Sequence, residues 1–142
     1  MNKEIKIFLV DDDALYLKSM EIDFIEHTKY VIETFATGEL CVENLSRYPD
    51  VIILDYQLDG VQENAMNGIE TLDKIKMFNP DIPVVMLSSQ DKIEVAVNCM
   101  HHKAFDYVVK SETAFMRLQK AINNIFRFKK MQNELSWYMD RM

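Results

Sequence analysis

Short apolar runs alternate with longer segments of helical periodicity along the chain. The apolar runs are typical of strands buried within a sheet, and they cover residues 5–10, 30–35, 51–54, 84–87 and 105–109. Between them, apolar residues recur every three or four positions, which predicts helices over residues 14–27, 39–48, 68–78, 91–101 and about 111–142. Because strands and helices alternate, we predict an α/β fold: a doubly wound, five-stranded parallel sheet flanked by five helices, of which the last is extended.

Length and composition are those of one globular domain with at most an appendage. The chain has 142 residues, of which 49% are hydrophobic and 27% are charged. Its formal net charge is −7, and polyanion binding requires a basic surface, so we expect no direct binding of nucleic acid. The apolar runs are too short to cross a membrane or to serve as a signal peptide. The two cysteines, Cys41 and Cys99, belong to no motif and suit the reducing cytoplasm.

Polar side chains follow four of the five predicted strands. They are Asp11 and Asp12 after the first strand, Asp55 after the third, Ser88 after the fourth and Lys110 after the fifth. Because the carboxyl ends of parallel strands share one edge of the sheet, we expect a single site there. Clustered carboxylates repel each other unless a cation lies among them, and Mg²⁺ prefers oxygen ligands. A carboxylate beside Mg²⁺, a hydroxyl and an ammonium can accept a phosphoryl group.

Five motifs, taken in order, resemble the receiver domain of two-component response regulators. They are Phe8-Leu9-Val10-Asp11-Asp12, Val51-Ile52-Ile53-Leu54-Asp55, Met66-Asn67-Gly68-Ile69-Glu70, Pro83-Val84-Val85-Met86-Leu87-Ser88 and Phe105-Asp106-Tyr107-Val108-Val109-Lys110. Each motif alone is weak, but their order and spacing over residues 5 to about 127 make the resemblance specific. The resemblance implies the flavodoxin-like receiver fold, which is the fold class that the alternating pattern predicts.

The resemblance implies a role for each matching acidic residue. It makes Asp55 the phosphoacceptor, which takes the phosphoryl group from a sensor histidine kinase, a phosphotransfer protein or a small phosphodonor. It also implies that Mg²⁺ is bound by Asp12 directly, by Asp11 mostly through water, by Asp55 and by the backbone carbonyl of Gln57. The protein so implied is a signalling switch and not a metabolic enzyme, because it catalyses only its own phosphorylation and dephosphorylation.

The same resemblance implies how phosphorylation changes the surface. Ser88 stands where the family has Thr or Ser, and its hydroxyl is expected to hydrogen-bond one phosphoryl oxygen while Lys110 pairs with another. Tyr107 matches the aromatic residue that turns inward when the hydroxyl residue moves. The coupling is a population shift, because phosphoryl contacts stabilise the active arrangement more than the inactive one. The affected surface comprises the fourth helix, fifth strand and fifth helix, through which we expect partner binding or dimerisation.

Four departures from the family pattern lie near the expected site. Asp59 occupies the position of a common proline, and about five extra residues, 61–65, follow it closely. The extra residues are either a tolerated surface insertion or a segment that shades the site, selects a partner or alters dephosphorylation. Ser111 replaces the proline that commonly follows the lysine, which leaves the isomer of the preceding peptide bond open. Ser89 is larger than the usual Ala or Gly and is expected to slow the access of phosphodonors.

Other conspicuous residues have plainer interpretations. Asp13 extends the acidic run and is expected to cap a helix, with a third metal ligand as the alternative. His101 and His102 have no evident cysteine or carboxylate partner, so we interpret them as solvated residues at a helix end and not as metal ligands. Given the net acidity, the basic residues within 127–130 are interpreted as a solvated helix face and not as a nucleic-acid contact.

The last helix is longer than a receiver domain requires. Residues 112–142 would extend about 46 Å at about 1.5 Å per residue. Apolar residues continue there at steps of three and four, with Trp137 on the flank; they are Phe128, Met131, Leu135, Tyr138 and Met142. We therefore assign residues 1–127 to the receiver domain and residues 128–142 to a helical extension. The extension is expected to dimerise as a coiled coil or to connect to an output domain, unless it folds back onto its own domain.

Two other functions fit parts of the pattern. The first is a receiver-like module that binds partners without phosphate, but the intact set of acidic, hydroxyl and lysine residues argues against it. The second is a phosphatase of the haloacid dehalogenase type, since that family also uses an aspartate nucleophile and Asp11-Asp12-Asp13 imitates its Asp-x-Asp start. No acidic pair follows a strand after Lys110, the chain has no room for a substrate cap, and Asp55 would have no role. The phosphatase is therefore the least favoured.

Overall fold

Strands and helices alternate along the chain, as the sequence predicts. The computed structural model describes residues 3–60 and 64–142. Within these residues the strands are β1 (Lys6–Val10), β2 (Val31–Phe35), β3 (Val51–Asp55), β4 (Val84–Ser88) and β5 (Asp106–Val109). The helices are α1 (Ala14–His27), α2 (Gly38–Glu43), α3 (Gly68–Phe78), α4 (Ile93–His101) and α5 (Ala114–Arg141), and one 3₁₀ turn covers Leu45–Arg47.

All five strands are parallel and form one sheet in the order β2-β1-β3-β4-β5. The chain adds β2 on one side of β1 and then continues with β3 on the other side. The strand order therefore reverses between β1 and β3, and the carboxyl ends of these two strands flank the crevice where such sheets bind ligands. The register places Asp55, the last residue of β3, beside Leu87 of β4. The predicted doubly wound fold is confirmed.

Side chains of the central strands alternate between two cores, one on each face of the sheet. On one face, Ile7 and Leu9 of β1 pack in a cluster with residues of α1 and α5 such as Phe24 and Leu118. On the other face, Phe8 packs in a cluster that includes residues of α2, α3 and α4. Because helices cover both faces, polar side chains find open space only where the strands end. The fold thus concentrates the chemistry of the chain at one edge of the sheet.

The second helix is shorter than the sequence pattern indicates. The prediction of one helix over 39–48 is wrong, because α2 ends before Asn44 and a 3₁₀ turn follows. The side-chain amide of Asn44 donates to the carbonyl of Leu40 at 2.7 Å, and its backbone N–H donates to the carbonyl of Cys41 at 3.1 Å. These bonds end the α-helical ladder, and Tyr48 then adopts a left-handed backbone with a φ of 58°.

Two of the departures from the family pattern bear on the fold. The peptide bond before Ser111 is trans, since the described residues contain no cis peptide bond. The hydroxyl of Ser111 accepts from the backbone N–H of Thr113 at 3.3 Å, and this turn delays the start of α5 to Ala114. Of the extra residues 61–65, the first three lie outside the described residues.

The two halves of α5 have different surroundings. Its first half packs on the sheet, where Leu118 and Ile122 are fully buried. From Met131 onward every residue is exposed, and the helix continues without a break to Arg141. The ring of Phe128 packs edge-on against Phe105 of the domain, with 6.0 Å between ring centroids. Beyond it the extension does not fold back onto the domain in this structure, so the apolar side chains from Met131 onward face solvent. None of the described helices is long and apolar enough to cross a membrane.

Gly68 lets α3 begin directly against the end of β3. A Cβ atom at this position would lie 2.5 Å from the carbonyl oxygen of Asp55 and 2.6 Å from that of Tyr56. Backbone atoms cannot yield as a flexible side chain does, so we expect Gly68→Ala to lower the free energy of unfolding by about 1–3 kcal/mol. Urea denaturation followed by circular dichroism measures this change.

Gly60→Ala is the matched control for that experiment. Among the described residues, a Cβ atom at Gly60 would meet only the Oδ2 atom of Asp12, at 3.4 Å, which is ordinary packing. Its free energy of unfolding should therefore stay close to that of the unsubstituted chain. Equal losses in the two alanine variants would contradict the prediction.

Candidate functional site

Three carboxylates meet at the carboxyl edge of the sheet. Asp11 and Asp12 follow β1 directly, and Asp55 ends β3. One carboxylate oxygen from each residue lies within 4.8 Å of the other two. Asp11 and Asp55 are each only 3% exposed, whereas Asp12 is partly buried. The structure therefore brings together the three acidic residues that the sequence singles out.

Backbone hydrogen bonds fix the directions of the first two carboxylates. Asp11 Oδ1 accepts from the N–H of Asp13 at 2.9 Å, and Asp12 Oδ2 accepts from the N–H of Gly60 at 3.1 Å. Asp13 itself caps α1, since its Oδ1 accepts from two N–H groups in the first turn of that helix. The interpretation of Asp13 as a helix cap is confirmed.

Lys110 places one positive charge among the carboxylates. Its Nζ lies 2.9 Å from Asp11 Oδ2 and 3.5 Å from Asp55 Oδ1. The backbone N–H of Lys110 donates to the carbonyl of Ser88 at 2.7 Å, which ties the end of β5 to the end of β4. Burial by itself lowers the pKa of the Lys110 ammonium, but the hydrogen bond and charge of Asp11 and the charge of Asp55 outweigh burial and raise this pKa. The side chain therefore stays protonated.

Tyr16 also belongs to this site, although sequence analysis did not single it out. The Nζ of Lys110 lies 4.5 Å from the centroid of the Tyr16 ring, a cation–π contact that holds the ammonium in place. The Tyr16 hydroxyl oxygen is buried and has no hydrogen-bond partner among the described residues. Burial raises the pKa of this hydroxyl, and the charge of Lys110 opposes the rise. The available signal in the sequence was its place in the first helical turn after the acidic run.

The carboxylates carry more negative charge than one ammonium offsets. Burial is the main cause that raises the pKa of Asp55 to about 7, and the neighbouring charge of Asp11 adds to the effect. Lys110 acts in the opposite direction, as does the backbone N–H of Gln57, which donates to Asp55 Oδ1 at 3.2 Å. A further cation among these oxygens would relieve the repulsion. Converging carboxylate oxygens are ligands that fit a hard divalent ion such as Mg²⁺.

An open cavity of about 680 Å³ lies over the acidic cluster. Asp12, Asp55, Gln57 and Lys110 line it, and Ser89 contributes a hydroxyl-bearing residue to the rim. Two carboxylates of the cluster, those of Asp12 and Asp55, and one ammonium therefore meet a space that is open to solvent. This arrangement can bind a cation and an oxyanion side by side, with the Asp55 carboxylate within reach of both.

Ser88 lies at the end of β4 but does not line this cavity. It is fully buried, and its Oγ accepts from the backbone N–H of Gln90 at 3.0 Å. The Tyr107 hydroxyl donates to the carbonyl of the same residue, Gln90. Burial is the main cause that raises the pKa of the Tyr107 hydroxyl. Ser88 and Tyr107 are thus joined through the backbone of Gln90, a link that no side-chain pattern in the sequence could reveal.

The expectation that no carboxylate lies near the histidine pair is wrong. His102 Nδ1 lies 2.7 Å from Asp73 Oδ1, so the end of α4 contacts α3. The two residues are 29 positions apart, and only the fold brings them together. His101 is exposed, as expected. Neither histidine joins the acidic cluster at the sheet edge.

Comparison with known proteins identifies the family. A family model described as the response regulator receiver domain matches residues 7–123. The chain belongs to this family. The matched segment includes every residue of the site at the sheet edge, so the resemblance carried by the five sequence motifs is confirmed.

Curated relatives of this receiver domain are longer proteins. Luminescence regulatory protein LuxO of Vibrio campbellii is 33% identical over 105 residues, which are 72% of this chain and 22% of LuxO. The protein-glutamate methylesterase/protein-glutamine glutaminase of Bacillus subtilis is 37% identical over 112 residues, which are 75% of this chain and 29% of the relative. Nitrogen assimilation regulatory protein NtrX of Azorhizobium caulinodans is 35% identical over 104 residues. The chain spans less than a third of the length of each of these three.

Solved structures include close matches to the receiver fold. A structure of NtrX from Brucella abortus has a TM-score of 0.83 at 25% identity, and the match covers 99% of this chain and 31% of NtrX. A response regulator receiver domain protein from Clostridium thermocellum has a TM-score of 0.77 at 25% identity, with 90% of this chain and 98% of that chain covered. The match to NtrX takes in nearly all of the helical extension as well as the domain.

The raised pKa of Asp55 predicts that Asp55→Asn stabilises the fold in buffer that contains no divalent cations. An unfolded Asp55 releases its proton near pH 4, whereas the folded residue holds it to about pH 7. Stability therefore falls as pH rises between these values, and the loss is complete above pH 7. At about 1.36 kcal/mol per pKa unit, the substitution should add about 2–4 kcal/mol at pH 8 and little at pH 4.

Denaturant titrations in EDTA at both pH values measure the difference. Asp140→Asn is the control, because Asp140 is an exposed carboxylate on the far part of α5. The control should show no gain that depends on pH. A gain for Asp55→Asn that is the same at pH 4 and pH 8 would contradict the electrostatic account.

Proposed function

We propose that this chain is a phosphoacceptor switch of a two-component system, acting in the cytoplasm. Asp55 accepts a phosphoryl group from a sensor histidine kinase or a phosphotransfer protein in a reaction that depends on Mg²⁺. The observation that supports this most directly is the cluster of Asp11, Asp12 and Asp55 around the ammonium of Lys110. The chain also belongs to the receiver domain family of response regulators, and this membership supports the same role for the cluster.

The acidic cluster is also the proposed metal site. Asp11, Asp12, Asp55 and the backbone carbonyl of Gln57 are the residues that would hold Mg²⁺. The bound ion would offset negative charge on the phosphoryl oxygens. Burial keeps Asp55 protonated to about pH 7 in the absence of a cation, and a protonated carboxyl is a poor nucleophile. A bound cation would therefore lower the pKa of Asp55 and so favour the carboxylate form that can act as a nucleophile.

In the proposed transfer, a carboxylate oxygen of Asp55 attacks the phosphorus of a phosphohistidine. The new O–P bond forms as the P–N bond breaks, and the imidazole nitrogen leaves with the electron pair. Lys110, which pairs with Asp11 and Asp55 in this structure, is positioned to pair with a phosphoryl oxygen. Lys110 and Tyr16 do not move far in this scheme, because the ammonium already lies among the carboxylates. The protein supplies mainly positioning and charge.

Ser88 and Tyr107 carry the proposed response. In this structure the Ser88 hydroxyl oxygen accepts from the backbone N–H of Gln90, and the Tyr107 hydroxyl donates a hydrogen bond to the carbonyl of Gln90. A phosphoryl oxygen on Asp55 offers Ser88 a stronger, charged acceptor. Its reorientation removes one contact from the Tyr107 arrangement and shifts the population of surface conformations around α4, β5 and α5. Partner binding or dimerisation then depends on that shift in population.

The two rival functions account for fewer of the observations. A phosphate-independent module leaves unexplained why a buried, repulsive acidic cluster opens into a cavity beside Lys110. A haloacid dehalogenase-type phosphatase gives Asp55 no role. The Bacillus subtilis relative is named as an enzyme, but this chain spans only 29% of it. We therefore propose that residues 1–127 catalyse only their own phosphorylation and dephosphorylation, with residues 128–142 as an extension.

Intact-mass measurement after incubation with acetyl phosphate and Mg²⁺ tests the proposal. We expect one added phosphoryl group on the unsubstituted chain and none when Mg²⁺ is removed by EDTA. Asp55→Asn should gain no phosphoryl group, whereas Asp59→Asn, which changes an exposed neighbouring carboxylate, should still gain one. No adduct on the unsubstituted chain would favour the phosphate-independent module. An adduct that survives in Asp55→Asn would move the acceptor to another residue.

The cation–π contact predicts a graded effect of substitutions at Tyr16. Tyr16→Leu removes the ring beneath Lys110 and should slow phosphorylation by acetyl phosphate about three- to tenfold, in line with the strength of such contacts. Tyr16→Phe keeps the ring and should react at close to the original rate. The time course of the added mass gives both rates. Equal slowing in the two variants would attribute the effect to the buried hydroxyl instead of the ring.

A further inference from the structure

The exposed part of α5 has the residue pattern of a coiled coil. Five apolar side chains beyond the domain are at least half exposed, although apolar surface of this kind is normally covered. They occupy alternate steps of three and four, which are the a and d positions of a heptad: Phe128, Met131, Leu135, Tyr138 and Met142. A spacing that averages 3.5 residues keeps this apolar seam facing one neighbouring helix along its length.

The opposite side of the same segment is mostly polar. Lys129, Lys130, Asn133, Ser136 and Asp140 occupy the positions that face away from the seam. Trp137 is the apolar residue on this side, and its ring already contacts a side chain of its own helix. The guanidinium of Arg141 lies 4.0 Å from the centroid of the Trp137 ring. The seam is therefore the surface left for a partner.

We propose that the seam pairs with a second copy of this chain in a parallel, two-stranded coiled coil over residues 128–142. This inference concerns a surface away from the acidic cluster and does not depend on phosphorylation. The self-complementary heptad supports a second copy of this chain as the partner. The charged residues that flank the seam favour one of the two directions, parallel or antiparallel, in which two such helices can pair.

An antiparallel pair places like charges together. When Phe128 packs against Tyr138 of the second copy, Glu134 lies opposite Glu134 and Arg127 lies opposite Arg141. Like charges at flanking positions oppose pairing. A shift by one heptad relieves this repulsion by placing Glu134 opposite Arg141, but it removes Phe128 from the paired seam. Phe128 then keeps only its edge-on contact with Phe105 of its own chain, and its half-exposed ring stays uncovered. Arg141 is also stacked on its own Trp137.

A parallel pair avoids both costs. Each of the five seam residues then packs against its own counterpart. The flanking positions place Arg127 beside Gln132 and Glu134 beside Met139, and neither pair has like charges. Parallel pairing is thus the direction that covers the whole seam without repulsion.

A seam of about two heptads is short, but the helix exists before pairing. Helix nucleation is the unfavourable step for an isolated short helix. Here α5 is anchored by its first half, where Leu118, Ile122 and Ile125 are buried on the sheet. Pairing therefore has only to cover apolar surface. We expect a weak dimer whose fraction rises over about 10–1,000 µM, as for interfaces smaller than about 1,200 Å².

Cysteine crosslinking of the full chain tests the partner and its direction. Leu135→Cys lies in the seam, and a short bismaleimide should join two copies of this variant. Asn133→Cys is the matched control on the outer side and should not crosslink at the same concentration. The native Cys41 and Cys99 are fully buried and should stay unreactive. Equal crosslinking of both variants, or crosslinking of neither, would overturn the proposal.

A mixing experiment separates the two directions. Antiparallel pairing brings residue 131 of one copy beside residue 135 of the other. A disulfide has no spacer to bridge the offset of about 6 Å between positions one seam layer apart. When oxidation to a disulfide replaces the bismaleimide, Met131→Cys mixed with Leu135→Cys would then give a mixed dimer, while Leu135→Cys alone would give none. That result would overturn the parallel arrangement.

Light scattering at increasing concentration gives the number of copies. We expect a mass that approaches two chains for the unsubstituted protein and for Asp55→Asn. Leu135→Asp, which puts a charge into the seam, should weaken assembly at least tenfold, and Ser136→Asp should not. Both sites are exposed, so circular dichroism should report an unchanged fold. A single chain at every concentration, or three chains, would overturn the two-stranded proposal whatever the outcome for phosphorylation.

Discussion

Three carboxylates, two of them buried, meet a single ammonium at the carboxyl edge of the sheet, and the properties of the site follow from this imbalance of charge. Asp11 and Asp55 lie almost entirely out of solvent, where burial makes a negative charge costly. Lys110 offsets part of that charge and Tyr16 holds Lys110 in place. The remaining repulsion between the carboxylates would be offset by a cation bound among their oxygens. The burial of Asp11 and Asp55 in the fold thus opposes the negative charge that these two residues would need to bind a cation.

The sheet order is what makes this concentration of charge achievable. Residues at the ends of β1 and β3 are far apart in sequence but adjacent in space because the strand order reverses between them. Each carboxylate is then fixed by a neighbouring backbone N–H group, as in Asp11 with Asp13 and Asp12 with Gly60. Those backbone donors come from loops whose positions depend on the helices that follow. The packing of the two cores therefore controls the geometry of a site that neither core contains.

The sequence predicted the sheet, its direction and the residues at the strand ends, because hydrophobic periodicity is local and because strands that alternate with helices form parallel sheets. It also anticipated Asp13 as a helix cap. What it could not predict depends on contacts between distant or backbone groups. The pairing of His102 with Asp73 requires the packing of α4 near α3. The end of α2 depends on a single amide, that of Asn44. The link from Ser88 to Tyr107 passes through backbone atoms of Gln90.

The length of α5 has a geometric consequence for any motion at its start. The helix begins at Ala114, four residues after Lys110, and its 28 residues make a rod of about 42 Å at about 1.5 Å per residue. A tilt of about 5° at the site end would displace the far end by about 4 Å, which is comparable to the pitch of one helical turn. A rod of this length is geometrically a lever arm, because the same rotation moves its far end several times farther than the residues near Lys110.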